Sequence, residues 1–362
     1  MNKIQKIFQT YGSEYIKRYG NNMPSEHRKV INAILNCRTG ELGLHEYECS
    51  SCGRIEHLPR SCGNRHCPGC QQAKAQDWLK KQMNKLLPCQ YFLVTFTVPE
   101  QLRRLVRSNQ KIAYSAMFNA ASASLKKLSK DPRFIGADQM GFFGVLHTWG
   151  RLMFFNPHLH FVVPGGGLSS AGTQWVSSEH DFLVHVKALM PIYRAKLRDA
   201  FAKAGLLNQV DCAVWRKPWV VDCESAGNGQ WALRYLSRYV FRVAISNNRI
   251  ISWDNHQVTF RWKKVKTRRW RKTTVDAMEF IRRFLQHVLP SGFMKIRHYG
   301  FFGVNAKISI PRIRELICEL YETLAELIQP PVPDESPPRL CTCCGHPMTH
   351  KAFIKPGCIP TG

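Results

Sequence analysis

Two runs of sequence decide the fold class of this chain: His147-Thr148-Trp149 and Asn156-Pro157-His158-Leu159-His160-Phe161-Val162-Val163. Successive side chains of a β-strand point to opposite faces of the sheet, so His158 and His160 share one face. His147 closes a second apolar run, residues 140–146, which is also typical of a strand. We predict that the two strands pair and that the three imidazoles converge on one metal ion.

The remaining strand and helix signals indicate the class of the fold. The strongest strand signal is residues 91–98, ended by Pro99, and residues 250–253 and 258–262 are typical of a hairpin. Helical patterns separate most of the other strands. This mixture favours an α+β domain with a central, mainly antiparallel sheet flanked by helices over a doubly wound parallel sheet.

Cysteine content, helical periodicity and a proline-rich stretch divide the chain into segments. We predict N-terminal helices (1–36), a zinc-binding domain (37–88), the α+β domain (89–305), a C-terminal helix (306–329), and a proline-rich linker with a small cysteine cluster (330–362). A small helical and zinc-binding part therefore precedes the α+β domain.

The charge of the chain indicates a polyanionic partner. Its 362 residues include 52 Lys+Arg and 25 Asp+Glu, which give a net charge of +27. The sequence has no long uncharged apolar run, so we expect nucleic acid and no membrane partner. The first residues lack the apolar core of a signal peptide, and we therefore expect a protein of the reducing cytoplasm.

In that compartment, clustered cysteines are metal ligands more often than disulfides. Eight ligand-type side chains fall within 34 residues, the right number for two closed Zn²⁺ sites of structural type; they are Cys37, His45, Cys49, Cys52, Cys62, His66, Cys67 and Cys70. Because so short a region can form only a small hydrophobic core, metal binding should largely drive its folding. The alternative is a disulfide framework or chance clustering.

The pairing of these ligands stays open at the level of sequence. A sequential arrangement places the first four on one ion and the last four on another. A crossed arrangement joins Cys49 and Cys52 to Cys67 and Cys70. The weakest members are Cys37 and His45, and without them one ion remains, most simply held by four cysteines.

Two features near the zinc ligands and at the C-terminus each have two interpretations. Basic residues among the ligands, including Arg65, favour contact with a phosphate backbone, and a structural brace with a solvated face is the alternative. At the other end of the chain lie further cysteines, namely Cys341, Cys343, Cys344 and Cys358. They either form a third zinc site, with Cys341 and Cys344 among its ligands, or belong to a frayed tail.

Downstream, residues 235–239 read Tyr-Leu-Ser-Arg-Tyr on a helical pattern, which places Tyr235 and Tyr239 one turn apart on one face. A tyrosine oxygen can form a covalent phosphotyrosine link, and three histidines can hold a divalent ion against a phosphate oxygen. Arginines on the same helix can neutralise the phosphate, namely Arg234, Arg238 and Arg242. We predict phosphodiester cleavage by a tyrosine nucleophile; the alternative is the half-buried face of an amphipathic helix.

Residues 261–272 carry eight basic residues in twelve, together with two tryptophans. We predict a hairpin arm that tracks single-stranded DNA with its charges and stacks its tryptophans on bases. A solvated basic loop is the alternative. The predicted DNA contacts of this arm are Arg261, Trp262, Lys263, Lys264, Arg268, Arg269 and Trp270.

Several motifs in order along residues 30–305 resemble one known family. They are Cys37-Arg38-Thr39, Ser61-Cys62-Gly63-Asn64-Arg65-His66-Cys67-Pro68-Gly69-Cys70-Gln71, Leu146-His147-Thr148-Trp149-Gly150, Pro157-His158-Leu159-His160, Val163-Pro164-Gly165-Gly166-Gly167, Tyr235-Leu236-Ser237-Arg238-Tyr239 and Ile296-Arg297-His298-Tyr299-Gly300. Together they resemble transposases of the insertion sequence 91 family, HUH single-strand nucleases that move DNA by a rolling-circle route.

This resemblance implies a fold, ligands and nucleophiles. It implies an HUH nuclease fold for residues 89–305, with Mg²⁺ or Mn²⁺ bound by His158 and His160 and with His147 as third ligand. It implies that Tyr235 and Tyr239 are paired nucleophiles, each leaving a 5′-phosphotyrosine and a free 3′-OH. It also implies that the N-terminal cysteine block is a zinc-binding domain that helps to recognise the ends of the element.

The resemblance also implies partners. We expect single-stranded DNA of the transposon ends and target, in a bacterial cytoplasm close to the nucleoid. The sequence has no P-loop pattern, so a host helicase, with the replication machinery, should open the duplex. Competing hypotheses are a rolling-circle replication initiator with the same chemistry, a non-catalytic zinc-dependent DNA-binding protein and an RNA-binding protein.

Overall fold

The structure is a computed structural model that describes residues 2–240, 244–264, 267, 269–321 and 338–357. The side chains of residues 72, 73, 238 and 239 are outside this description. Several sequence predictions therefore lie outside the described residues: the arginines at 242 and 268, Cys358, the linker up to residue 337, and the side chains of Arg238 and Tyr239.

Helices and strands alternate along the described chain. The helices are α1 (Lys3–Tyr19), α2 (Ser25–Leu35), α3 (Gln71–Met83), α4 (Glu100–Ser108), α5 (Gln110–Ser129), α6 (Val186–Lys203), α7 (Gln230–Val240), α8 (Ala277–Leu285) and α9 (Ile310–Tyr321). The strands are β1 (Leu44–Cys49), β2 (Ile55–Pro59), β3 (Tyr91–Thr97), β4 (Phe142–Trp149), β5 (Phe155–Pro164), β6 (Gly166–Leu168), β7 (Trp175–Ser177), β8 (Val221–Ser225), β9 (Ile250–Asp254), β10 (Gln257–Lys263), β11 (Trp270–Asp276), β12 (Ile296–Tyr299) and β13 (Met348–Ile354).

The centre of the molecule is a sheet with the strand order β12-β4-β5-β3-β8 in the described residues. Each neighbouring pair in this sheet is antiparallel. The predicted pairing of the two histidine strands is present, and His147 of β4 lies directly opposite His158 of β5. The α+β class with a central antiparallel sheet flanked by helices is therefore confirmed.

The two faces of this sheet bury different side chains, because alternate residues of a strand point in opposite directions. On one face, the fully buried rings of Phe96 and Phe161 pack with helices α4, α5 and α6. Each such ring stabilises the fold by roughly 1.5–3 kcal/mol through its removal from water. On the other face, Val145 and Val162 pack with α3, α7 and α9. The histidines at 147, 158 and 160 alternate in step with these valines and share their face.

Helix α7 crosses the histidine-bearing face and is fixed there by its cap and its packing. The side chain of Asn228 accepts a hydrogen bond from the backbone N–H of Gln230 at 3.2 Å, as a helix N-terminus requires. Leu233 and Leu236 are completely buried in the core of this face. Tyr235 lies between them in sequence and is half-buried, so it occupies the edge of the packed side of the helix.

The N-terminal helices pack on elements from far along the chain. Strands β9, β10 and β11 form an antiparallel sheet, and the first two of them match the hairpin expected from sequence. Phe8 of α1 and Phe284 of α8 have ring centroids 5.0 Å apart, and both join Phe260 of β10 in one core. Cys37 and Cys67 belong to the same core, which anchors part of the cysteine block to this unit.

The C-terminal segment returns to the N-terminal cysteine block. Strands β1 and β2 form a hairpin, and β13 pairs with the free edge of β1 in antiparallel register, from Leu44 opposite Ile354 to Cys49 opposite Met348. The interpretation of the C-terminal cysteines as a frayed tail is therefore wrong for residues 338–357.

Within the described residues, no helix combines the length and the apolar character needed to cross a lipid bilayer.

Candidate active site

The three histidines from β4 and β5 form one compact cluster. Their ring centroids are separated by 4.7 Å (His147–His160), 4.9 Å (His158–His160) and 5.4 Å (His147–His158). One ring nitrogen from each lies within 4.8 Å of the others, which is close enough for all three to bind one ion. The cluster follows from the sheet register, because His158 is opposite His147 and His160 is two residues further along the same face.

Two of these imidazole rings are held in orientation by a hydrogen bond to another part of the protein. Nδ1 of His158 donates to the backbone carbonyl of Asn156 at 2.7 Å, because that oxygen can only accept. Nδ1 of His160 lies 2.9 Å from the hydroxyl of Thr95 on the neighbouring strand β3. Both contacts leave Nε2 as the nitrogen available to a metal ion, an arrangement found around metal-binding histidines.

Burial also sets the protonation of the cluster. Loss of solvent lowers the pKa of His147 and His160 well below the usual histidine value, and the neighbouring imidazoles lower it further. Loss of solvent likewise lowers the pKa of His158. Neutral imidazole is the form that binds metal. The residues present therefore fit a divalent cation with three nitrogen ligands.

Helix α7 brings a tyrosine to this cluster. The ring centroid of Tyr235 lies 6.1 Å from that of His160, with the ring planes nearly perpendicular at 82°. The indole of Trp231, one turn earlier on the helix, is stacked on the Tyr235 ring at 5.5 Å and 12°. Arg234 is exposed on the same helix. The backbone of Tyr239 continues α7 by one further turn.

Eight of the thirteen described cysteines form two groups of four, and neither predicted pairing of the N-terminal ligands matches them. One group contains Cys37, Cys62, Cys67 and Cys70, and the other contains Cys49, Cys52, Cys341 and Cys344. In the first group Cys70 Sγ lies 3.5 Å from Cys37 Sγ and 3.6 Å from Cys62 Sγ. Four thiolates around one Zn²⁺ at 2.3 Å would be about 3.8 Å apart, so this group fits a tetrahedral zinc site.

The two histidines proposed as zinc ligands lie outside both groups, so this part of the prediction is corrected. Nδ1 of His45 lies 3.1 Å from Nε2 of His350 across β1 and β13. Nε2 of His66 accepts a hydrogen bond from the backbone N–H of Leu289 at 3.1 Å, and burial lowers the pKa of this imidazole to about 3. Each histidine therefore holds two segments of chain together.

Comparison with known proteins places this architecture in a family. Residues 7–98 match the model of the "Transposase zinc-binding domain" family, and residues 141–308 match that of the "Putative transposase" family. A protein of Sinorhizobium fredii named "Putative transposase y4qJ" is 39% identical over 321 residues, which cover 83% of this chain and 80% of that protein. This chain belongs to the insertion sequence 91 family of transposases.

A second relative supports the same assignment for this transposase. The "Transposase for insertion sequence element IS801" of Pseudomonas savastanoi pv. phaseolicola is 26% identical over 358 residues, which cover 90% of this chain and 83% of the relative. No solved structure matches the chain. The family model of the zinc-binding domain includes the group of Cys37, Cys62, Cys67 and Cys70, so Zn²⁺ is the ion expected there.

Arg65 of the transposase holds a loop in place, which is the behaviour expected of a structural brace. Its guanidinium donates to the backbone carbonyls of Leu289, Pro290 and Phe293. These bonds use most of the directional hydrogen-bonding capacity of the guanidinium. They tie the zinc knuckle to the segment that follows α8, and the predicted phosphate contact of Arg65 stays a prediction.

The basic arm is a hairpin whose two tryptophans point to opposite faces. Residues opposite each other in β10 and β11 share a face, and Arg261 is opposite Lys272, whereas Trp262 is opposite Arg271. Trp270 is 53% exposed, with the Arg261 guanidinium 4.9 Å from its ring. Trp262 is half-buried on the other face, where its Nε1 donates to Thr273 Oγ1 at 2.8 Å. One DNA strand therefore cannot stack on both rings along a single face.

The exposed face of the arm keeps several of its predicted basic residues available. Lys263, Lys264 and Arg269 are all exposed near the end of the hairpin. Arg261 is exposed as well, and its Nε donates to the carbonyl of Asn248 at 3.2 Å. The described end of the hairpin therefore presents cations beside the exposed ring of Trp270.

Two residues beside the histidine cluster were missed from sequence although a signal for each exists. Trp231 precedes Tyr235 by four positions, so helical spacing alone places the two rings one above the other. Thr95 alternates with the apolar residues of β3 that face the opposite side, as a strand residue facing the histidines should. The C-terminal cysteines Cys341 and Cys344 have a sequence signal in their Cys-x-x-Cys spacing, but the sequence carries no signal for the cysteines that they meet.

Proposed function

We propose that this transposase is an HUH single-strand DNA endonuclease and strand transferase that moves its element by rolling-circle transposition. The observation that carries this proposal is the position of Tyr235 beside the three-histidine cluster, 6.1 Å from His160 between ring centroids. A hydroxyl nucleophile next to a divalent-cation site is the arrangement that attack on a phosphodiester requires. The proposed substrate is single-stranded DNA of the transposon ends and of the target.

His147, His158 and His160 would hold the catalytic Mg²⁺ or Mn²⁺. Bound there, the ion would polarise the scissile phosphate and offset the negative charge that develops on its oxygens. Asn156 and Thr95 contribute by fixing the orientation of two of the imidazoles before DNA arrives. Such fixed geometry lowers the cost of reorganisation during the reaction.

In the proposed cleavage step, the Tyr235 oxygen attacks the phosphorus. The Oη–P bond forms while the P–O3′ bond breaks, the phenolic proton passes to water, and the departing 3′ oxygen gains a proton. The products are a 5′-phosphotyrosine and a free 3′-OH. The link retains the energy of the broken bond, so a later attack by a 3′-OH rejoins strands without ATP. Tyr239 is proposed as the second nucleophile of this sequence.

Trp231 supports a role for this helix in holding DNA. One face of its indole is stacked on Tyr235, and 54% of the side chain is exposed. Aromatic rings bind single-stranded DNA by stacking on bases, independently of sequence. We propose that Trp231 stacks on a base beside the scissile phosphate and so aligns the backbone with Tyr235. A host helicase and the replication machinery are the proposed partners that supply the single strand.

Covalent capture tests the proposed nuclease. The full chain is incubated with end-labelled single-stranded DNA of the element ends and Mn²⁺ or Mg²⁺, then separated on a denaturing protein gel. We expect a labelled protein band with the wild type and its loss in the Tyr235→Phe, Tyr239→Phe double variant. The single variants identify the first nucleophile.

The matched control is Tyr19→Phe, since Tyr19 is 41% exposed on α1 and is not part of the cluster. This control should retain the labelled band. A wild-type protein that binds the DNA but yields no denaturation-resistant band with either metal would contradict the proposed chemistry.

A further inference from the structure

The second group of four cysteines combines an N-terminal and a C-terminal segment of the chain. Cys49 is the last residue of β1 and Cys52 follows that strand, whereas Cys341 and Cys344 precede β13. Cys52 Sγ lies 3.7 Å from Cys341 Sγ although the two residues are 289 positions apart. The match to the transposase zinc-binding family ends at residue 98, so half of these ligands lie beyond it.

The two pairs of cysteines have the same local structure. Each is a Cys-x-x-Cys-Gly sequence, and the glycines Gly53 and Gly345 have φ angles of +67° and +74°, which favour glycine. The backbone N–H of Gly53 donates to the carbonyl of Cys49 at 3.0 Å, and that of Gly345 donates to the carbonyl of Cys341 at 3.0 Å. Such repeated knuckles are the usual way in which two thiolates from one turn reach a zinc ion.

The sulfur geometry fits a metal site and not a disulfide. Cys344 Sγ lies 3.4 Å from Cys49 Sγ and 3.5 Å from Cys52 Sγ. A disulfide would bring two sulfurs to about 2.0 Å, whereas thiolates around a tetrahedral Zn²⁺ lie about 3.8 Å apart. The four sulfurs together lie within 4.8 Å of one another.

Contacts around the group hold the C-terminal segment in place. The Glu56 carboxylate on β2 accepts hydrogen bonds from the backbone and the hydroxyl of Thr342, the latter at 2.6 Å, and pairs with Arg339 at 2.8 Å. Lys351 of β13 pairs with Glu48 of β1 at 2.8 Å. These hydrogen bonds and ion pairs, together with the pairing of β1 with β13, fix the position of the C-terminal segment against the β1–β2 hairpin.

The apolar core at this join is small. Its buried members are Cys49, Cys341 and Met348, with Tyr47 and Cys344 packed against them. A core of this size cannot offset the conformational entropy of ordering two distant segments of chain. Small zinc modules gain that free energy from the metal.

We propose that Cys49, Cys52, Cys341 and Cys344 bind a second structural Zn²⁺, which joins the C-terminal segment to the N-terminal zinc-binding domain. The ion completes a zinc module that is built from two separate segments, the β1–β2 hairpin and residues 338–357. This inference does not depend on the proposed nuclease chemistry.

Zinc stoichiometry of the full-length chain tests the inference. Native mass spectrometry of protein purified without chelator should find two Zn²⁺ ions in the wild type and one in the Cys341→Ser, Cys344→Ser double variant. Cys343→Ser is the matched control, because Cys343 is exposed and outside the group, and it should retain two ions. One ion in the wild type, or two in the double variant, would overturn the proposal.

Limited proteolysis and cobalt substitution keep the test decisive if the double variant folds poorly. Cleavage within residues 338–357 should accelerate in the double variant, with the central domain still intact. The Cys344→His variant keeps four ligands but replaces one sulfur with nitrogen. In Co²⁺-substituted protein, this variant should shift the visible absorption of one of the two ions; spectra identical to those of the wild type would reject Cys344 as a ligand.

Discussion

Each of two histidines in the cluster uses one ring nitrogen to hold the ring in place, which leaves the other nitrogen for the proposed metal ion. His158 is fixed by the carbonyl of Asn156, and His160 is fixed by the Thr95 hydroxyl. The donor set contains imidazole nitrogen, whereas Mg²⁺ strongly prefers oxygen ligands. Mn²⁺ should therefore bind these side chains more tightly than Mg²⁺, and the Thr95 contact offers a way to test how the cluster binds it.

The first prediction concerns the hydrogen bond between Thr95 and His160. Replacing Thr95 by Val removes the hydroxyl with little change in shape, so the His160 ring loses its orientation. Metal affinity should fall by about 10–100-fold, as measured by calorimetric titration with Mn²⁺. Thr97→Val is the matched control, because Thr97 lies on the same strand but donates to the carbonyl of Val220. Equal affinities of the two variants would contradict the assigned role of Thr95.

A second residue-scale prediction concerns pH and His287. This imidazole is completely enclosed, with Nδ1 3.2 Å from the Thr148 hydroxyl and Nε2 3.0 Å from the carbonyl of Met153. Burial lowers its pKa from 6.5 to about 3. The unfolded chain therefore takes up a proton below pH 6.5 that the folded chain refuses, so His287 favours unfolding as pH falls from 6.5 towards 3.

The comparison variant is His287→Gln, which cannot titrate but can donate to the same carbonyl. Below pH 6.5 the free energy of unfolding of the wild type should fall relative to the variant by about 1.4 kcal/mol per pH unit. Urea unfolding at several pH values between 7 and 5 measures this difference. Parallel curves for the two proteins would show that His287 is not held neutral.

At the scale of elements, the β10–β11 hairpin separates two tryptophans that look equivalent in sequence. Trp270→Ala removes an exposed ring next to the Arg261 guanidinium, and we expect single-stranded DNA binding to weaken by about 1–3 kcal/mol. Trp262→Ala instead removes a half-buried ring and its bond to Thr273, and should lower stability. Fluorescence anisotropy at matched salt and urea unfolding measure the two effects.

The opposite pattern would place the DNA on the other face of the hairpin. It would be seen as normal DNA affinity in Trp270→Ala together with weakened affinity in a stably folded Trp262→Ala. Because the two residues lie in the same pair of strands, each serves as the control for the other. The test thus separates a stacking role from a packing role within one element.

What could be predicted from sequence follows the range of the interactions. The alternation of His158 and His160 and the apolar run before His147 were enough to predict the sheet pairing and the cluster, because strand periodicity is local. The same holds for the helix that carries Tyr235. The partners of the cysteines could not be predicted, because Cys52 and Cys341 meet only after the whole domain between them has folded.

The error at His66 has the same origin. His66 looked like a zinc ligand because its sequence neighbours are ligands, and Arg65 beside it is predicted to contact phosphate. In the fold, both bind the backbone of residues 289–293, more than two hundred positions away. A polar side chain next to a metal knuckle satisfies whichever groups the tertiary structure brings to it, and spacing carries no information about those groups.

At the scale of the whole molecule, the position of the exposed cations relative to the central sheet determines which path DNA can follow. The net charge of the chain is +27. The histidine cluster, Tyr235 and helix α7 lie on one face of the central sheet, while α6 packs on the other. Exposed cations of the β10–β11 hairpin include Lys263, Lys264 and Arg269. If single-stranded DNA runs along this hairpin, its phosphates release counterions when they meet these side chains.

The corresponding prediction is a change in salt dependence. Each phosphate contact contributes about −0.7 to the slope of log K against log salt for single strands, so replacing Lys263, Lys264 and Arg269 by Ala should reduce the slope by about 2. The matched control replaces three exposed basic residues of α6, namely Lys187, Arg198 and Lys203. Net charge changes equally in both variants, so an equal loss of slope would assign binding to overall charge, and a loss confined to the hairpin variant would assign it to this path.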